Sequence, residues 1–238
     1  MRKYVIHPLV VGANETDQGI MTYLKGYGKR IWIPIYVFYL EGGPEKILVD
    51  TGLEQFVVPP EVGDKYGLKI QEFEEALDTY GLKPQDIDII IHTHLHNDHC
   101  ENDYKCTNAR VYVQQREYEF FREPHPVDHR YFPDLLDDVE VVQVDGDAQI
   151  VEGIRVLLTP GHTVGGQSVM VNTRAGNAVI TGFCCNDLNF PASGPPIPSG
   201  VHINVIDAYE SARRVKEAAD ILIPLHDLAV GRQRSIPA

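Results

Sequence analysis

Residues 92–100 read His92-Thr93-His94-Leu95-His96-Asn97-Asp98-His99-Cys100. No ordinary core or loop needs four imidazoles so close together. Neutral imidazole is the commonest protein ligand for zinc-like ions, and carboxylate suits the same ions. His94, His96, Asp98 and His99 therefore offer four donors in a short run, which reads as a metal site. The preceding residues 87–91, Ile-Asp-Ile-Ile-Ile, predict a buried strand that ends where the histidines begin, a rigid place to hang ligands. A solvated, histidine-rich loop is the plain alternative. Two distant echoes weigh against it: Thr159-Pro160-Gly161-His162-Thr163 and Ile223-Pro224-Leu225-His226-Asp227 each place one histidine just after an apolar run.

These three stations, with Asp50-Thr51-Gly52 upstream, resemble the metallo-β-lactamase superfamily of metal-dependent hydrolases. The resemblance extends over residues 35–227. Order and spacing are most similar to its N-acyl homoserine lactonase branch. It implies a mixed α/β fold, a four-layer αββα sandwich, in a single domain over residues 1–238. It also implies two divalent metal ions, zinc first, with iron or manganese as alternatives. His94, His96 and His162 would hold one ion, and Asp98, His99 and His226 the other. Asp50 would order the backbone around them instead of binding metal.

Relatives usually supply a bridging Asp at a strand end. Here residues 179–187 read Val-Ile-Thr-Gly-Phe-Cys-Cys-Asn-Asp, and the ungapped match puts Phe183 in that place. Either Cys184 bridges as a thiolate, Asp187 reaches back, or no residue bridges; Cys184 is the preferred reading. The lactonase tyrosine that helps polarise the substrate carbonyl would correspond to Asn186, which can donate a hydrogen bond but not a proton. The implied chemistry is attack on a carbonyl by a metal-held hydroxide, with Asp98 orienting it and passing on its proton. The expected substrate is a small molecule, a lactone or cyclic amide. A thioester hydrolase, a mononuclear iron oxygenase of sulfur compounds, and a non-enzymatic sensor or electron-transfer module are the alternatives.

The rest of the chain fits a soluble protein. Its 238 residues, 43% hydrophobic, can bury a substantial core, and a net charge of −13 argues against a nucleic-acid surface. The expectation is a cytoplasmic protein with no membrane span and reduced cysteines, and the resemblance allows a homodimer. Residues 4–11 predict a first strand, 12–30 a loop that either covers the site or packs on the domain edge, and 32–40 and 46–49 a hairpin. A helix is expected from 68 to 80 and another over 114–122. Residues 123–138, with three prolines, His125 and His129, read as an active-site wall or a docking loop, the two histidines as spare surface groups. A meander of strands is expected over 139–183, then a surface Pro/Gly segment, a helix around 206–219 and a last strand at 221–224. Tyr23, Tyr27, Trp32, Phe120, Phe132 and Phe183 are candidates for an aromatic pocket.

Overall fold

Alternation of buried residues along the strands decides the layering. In β2 (Arg30–Glu41), Tyr36, Phe38 and Leu40 face one side, and Ile35, Val37 and Tyr39 the other, and both sets are buried. A strand buried on both faces must lie in a sheet covered on both faces. The structure, a computed structural model, describes residues 1–55 and 58–237.

The first sheet has the order β1 (Val5–Asp17), β2, β3 (Ile47–Val49), β4 (Ile89–Ile91), β5 (Arg110–Gln114), β6 (Glu140–Val144). The second has β11 (Ile221–Ile223), β10 (Gly176–Ile180), β9 (Gln167–Thr173), β8 (Ile154–Leu158), β7 (Ala148–Val151). Between them lies a core built from Ile6, Phe38, Val49 and Ile91 of one sheet and Val156, Val169, Val171 and Ile180 of the other. On the outer face of the first sheet, Phe73, Ala76 and Leu77 pack against Val37, Leu48 and Ile90. On that of the second, Ala212 and Val215 pack against Val179. The helices are α1 (Gln18–Met21), α2 (Pro60–Tyr66), α3 (Phe73–Asp78), α4 (Asn97–Cys100), α5 (Gln115–Arg122) and α6 (Val205–Ala218). With α3 and α6 as outer layers, this is the expected αββα sandwich.

Strand direction brings the three histidine stations to one edge. β3, β4, β5 and β6 are mutually parallel, so Asp50 and His92 leave neighbouring strand ends. β8 and β10 each run antiparallel to β9, and β11 runs parallel to β10, so all three also finish together. Gln167 stitches the two sheets at that edge: its backbone N–H donates to Thr93 O at 2.8 Å and its side-chain Nε2 to His92 O at 2.7 Å.

Three expectations are corrected. Residues 12–17, read as loop, continue β1 along β2 beyond a register shift between Val10 and Gly12. The helix expected from 68 shortens to α3, because Ile70 instead makes a parallel bridge to Val10. The meander over 139–183 divides: β6 joins the first sheet beside β5, and only β7–β10 run antiparallel in the second.

Candidate metal centre

The turn after β4 carries the histidine motif into α4, and Asp50 organises it from below. Asp50 is fully buried at φ 59°, in the left-handed region, a conformation that side-chain hydrogen bonds must hold. Its Oδ1 accepts from Thr93 N at 2.7 Å, and its Oδ2 accepts from Thr93 Oγ1 at 2.7 Å and from His99 Nδ1 at 2.8 Å. Burial would raise this carboxyl, yet His99 and His92 hold it well below the usual carboxylate range. The expected backbone-ordering place of Asp50 agrees with these contacts.

His92 lies between two acids, its Nε2 2.6 Å from Asp103 Oδ2 and its Nδ1 3.4 Å from Asp50 Oδ1. Burial opposes its charge, but Asp103 and then Asp50 prevail and push it up to about 10. It is thus a buried imidazolium, with both nitrogens facing carboxylates.

The other motif histidines differ. Because the Thr93 hydroxyl gives its proton to Asp50, it accepts from His94 Nδ1 at 3.1 Å. His162 Nδ1 donates to Val201 O at 2.8 Å, and His226 Nδ1 donates to Pro34 O at 2.9 Å. With Nδ1 turned to an acceptor in His94, His99, His162 and His226, Nε2 is the nitrogen each ring has left for a cation. All four Nε2 atoms are buried without a hydrogen-bond partner. Orphaned buried acceptors are costly, and four converging at one sheet edge call for a cation. His96 is turned the other way, its Nε2 donating to Asp128 Oδ2 at 3.1 Å, which leaves Nδ1 as the ligand-capable nitrogen.

The rings meet closely: centroids are 4.6 Å apart for His94 and His96, 4.8 Å for His94 and His162, and 5.5 Å for His99 and His226. His94, His96 and His162 form one group that could hold a metal ion, and Asp98, His99 and His226 another, with ligand atoms in each within 4.8 Å of one another. Burial first, and then neighbouring imidazoles, keep His94 and His162 well below their ordinary basicity, so both are neutral and ready to bind. Asp98 is the more exposed member, its side chain 22% accessible, and His99 and His226 hold its carboxyl low against burial.

His162 reaches the site because Gly161 lets its loop press on α6. A Cβ at Gly161, where φ is 120°, would stand 2.1 Å from Ala208 N. The Gly161 carbonyl in turn accepts from Ile203 N and Asn204 N.

The residues after β10 divide between core and site. Cys185 packs in the cluster under α6 and lies 3.0 Å from Thr181 Oγ1. Cys184 faces the site: burial and then Asp98 push its thiol up, while Arg130 acts in the opposite sense. It belongs to neither three-residue group. Asp187 is exposed, and all four cysteines are free. Asn186, expected to face a substrate carbonyl, caps the short turn after it: Oδ1 accepts from Leu188 N, and Nδ2 donates to Gln18 Oε1 at 3.4 Å. It also lines, with Trp32, Lys29 and His226, a cavity of about 360 Å³. Of the other pocket aromatics, Phe183 is core, Tyr27 and Phe132 are exposed, Phe120 packs on Tyr131 and Tyr23 on His202.

Residues 123–138 do wall the site. His125 and His129 are exposed, as expected, while Asp128 and Tyr131 are buried against His96. Buried Glu117 accepts from Leu95 N, Gly165 N and Tyr131 Oη, tying the motif to the His162 loop. Asp103, Asp128, Glu117 and Gln167 carry no signal in the sequence that marks them as supports. Asp128→Ala is expected to weaken metal binding about tenfold to a hundredfold, the usual cost of losing a ligand's outer partner, as measured by competition with a chromophoric chelator.

A family model described as the metallo-β-lactamase superfamily matches residues 30–221. The chain belongs to the metallo-β-lactamase superfamily. Within it, the chain is 31% identical over 165 residues to an N-acyl homoserine lactonase of Bacillus thuringiensis. That match spans 64% of this chain and 64% of the relative, just under two thirds of its length. A probable metallo-hydrolase of Methanocaldococcus jannaschii is 27% identical over 160 residues, 67% of this chain and 66% of its own. Among solved structures, an N-acyl homoserine lactone hydrolase with N-hexanoyl-L-homoserine at its catalytic metal centre superposes with a TM-score of 0.78, at 25% identity over 96% of this chain and 95% of that one. A dizinc quorum-quenching lactonase shares the superfamily fold, with a TM-score of 0.68 at 16% identity over 95% of this chain and 91% of that one. Among the described residues no helix is long and apolar enough to cross a membrane.

Proposed function

We propose that the protein is a metal-dependent hydrolase that opens a small carbonyl substrate, a lactone first, with one divalent ion in each three-residue group, zinc before iron or manganese. The observation that carries this reading is the set of four buried Nε2 atoms without a hydrogen-bond partner, each on a ring whose Nδ1 faces an acceptor on the far side. Ions bound there would polarise a carbonyl oxygen and make water acidic enough to ionise near neutral pH. The chain's own residues supply the rest. The buried rings exclude bulk water, and His94 and His162 stay neutral. Asp98, ionised and the one group member with a partly exposed side chain, accepts the proton of the attacking water and returns it to the leaving oxygen. Likeness to the Bacillus thuringiensis lactonase supports the lactone choice.

Cys184 is our candidate for the bridging position, since it is the member of the Cys pair beside Asp98. The test is metal quantification on the wild type, Cys184→Ala and Asp187→Ala, together with turnover of lactones, lactams and thioesters. Loss of metal in Cys184→Ala alone supports the bridge, and loss confined to Asp187→Ala reverses it. Full lactone turnover by a protein stripped of metal would sink the hydrolase reading itself.

A further inference from the structure

Arg130 has no part in the proton transfers above, yet it is built into the wall of the metal centre. Its backbone carbonyl accepts from Asn97 N, inside the histidine motif, at 3.0 Å. The next residue, Tyr131, lays its ring 4.8 Å from that of His96. Its side chain is clamped as well: Nε donates to Asp128 Oδ1 at 2.7 Å and Nη2 to Asp128 Oδ2 at 2.6 Å, while Asp128 is itself held by His96. A guanidinium fixed along one edge is a pre-organised fork.

The clamp leaves the other edge free. Nη1 donates to no acceptor among the described residues. The Arg130 side chain is 30% exposed where that of Asp128 is 4% exposed, so a partly exposed cation sits on a buried carboxylate that itself touches His96. Neutralising Asp128 would need only the clamped edge. In a chain of net charge −13, a fixed cation with a vacant donor beside the reacting site is a feature for ligand recognition.

We infer that Arg130 anchors the substrate, and that the substrate carries an anionic group, a carboxylate first, close to the carbonyl that is hydrolysed. This rests on the hydrolase reading, and the test separates the two. The zinc-loaded protein is given a γ-lactone bearing a ring carboxylate and the same lactone with a carboxamide in its place. The ratio of kcat/KM between them is expected to favour the carboxylate and to fall at least about tenfold in Arg130→Ala, the range of one charge-assisted contact. An unchanged ratio overturns the inference. Arg130→Gln, which keeps the length and loses the charge, gives the same readout should the alanine variant fold poorly. Absence of zinc-dependent turnover of either lactone would count against the hydrolase reading, and calorimetry with glutarate then decides Arg130. Binding at least about tenfold weaker in the variant supports the anchor, whereas equal binding, or none by the wild type, rejects it.

Discussion

His226→Ala is expected to empty the group formed by Asp98, His99 and His226 while leaving His94, His96 and His162 able to hold their ion, with turnover falling by more than the roughly hundredfold that loss of an outer partner costs. His162→Ala should do the reverse. The two variants therefore separate the ions by position, and elemental analysis beside lactone turnover reads both. The reason is geometric: each of these side chains comes from a different loop, after β11 and after β8, and no neighbouring imidazole can take its place. Removing either also leaves its acceptor, Pro34 O or Val201 O, without that donor. Equal metal loss in both variants would show that the two groups bind as one unit.

Asp50→Ala is expected to be the most destabilising single change. It strips a buried carboxylate from the Thr93 amide, the Thr93 hydroxyl and His99, and leaves the His92 imidazolium with Asp103 alone. Breaking a buried charge pair on one side costs about 3–5 kcal/mol. In a chain of this size that lowers the melting temperature by roughly 6–20 °C. Melts with and without a chelator separate the fold effect from the metal effect. A change under about 1 kcal/mol would contradict the network described. The pH dependence follows from the same pair. Asp50 is depressed, so its stabilisation is present above the ordinary carboxylate range, near pH 4, and is lost as pH falls below it. His92 is raised to about 10, so its share is whole below about pH 6.5 and fades as pH climbs toward that value. The wild-type advantage over Asp50→Ala should be widest between these limits.

Much of the centre was legible because imidazoles are rare and cluster only for a reason: four in residues 92–99, and one after each of two later apolar runs, already named every histidine of the two groups. Its supports were not. Asp103, Asp128 and Glu117 are ordinary acids with nothing in their neighbourhood in the sequence to mark them, and only burial beside a histidine or a backbone amide gives them a task. His92 looked like its neighbours and is distinguished only by acids on both of its nitrogens. The strand misread over 12–17 has the same origin: Gly12, Ala13 and Asn14 are poor strand formers, and pairing with Ile33–Ile35 of β2 overrides that preference. Cys184 and Cys185 are indistinguishable as letters, and it is the packing of α6 that turns one inward and leaves the other toward Asp98.

The donors of each group come from both sheets: His94 and His96 follow β4, His162 follows β8, Asp98 and His99 follow β4, and His226 follows β11. A cation seated in either group would therefore rivet the sandwich shut along one rim, and it could find its full set of donors only once the two halves had already come together. Metal capture would then be the last step of assembly, and the ion a latch on a finished frame instead of a seed for building it.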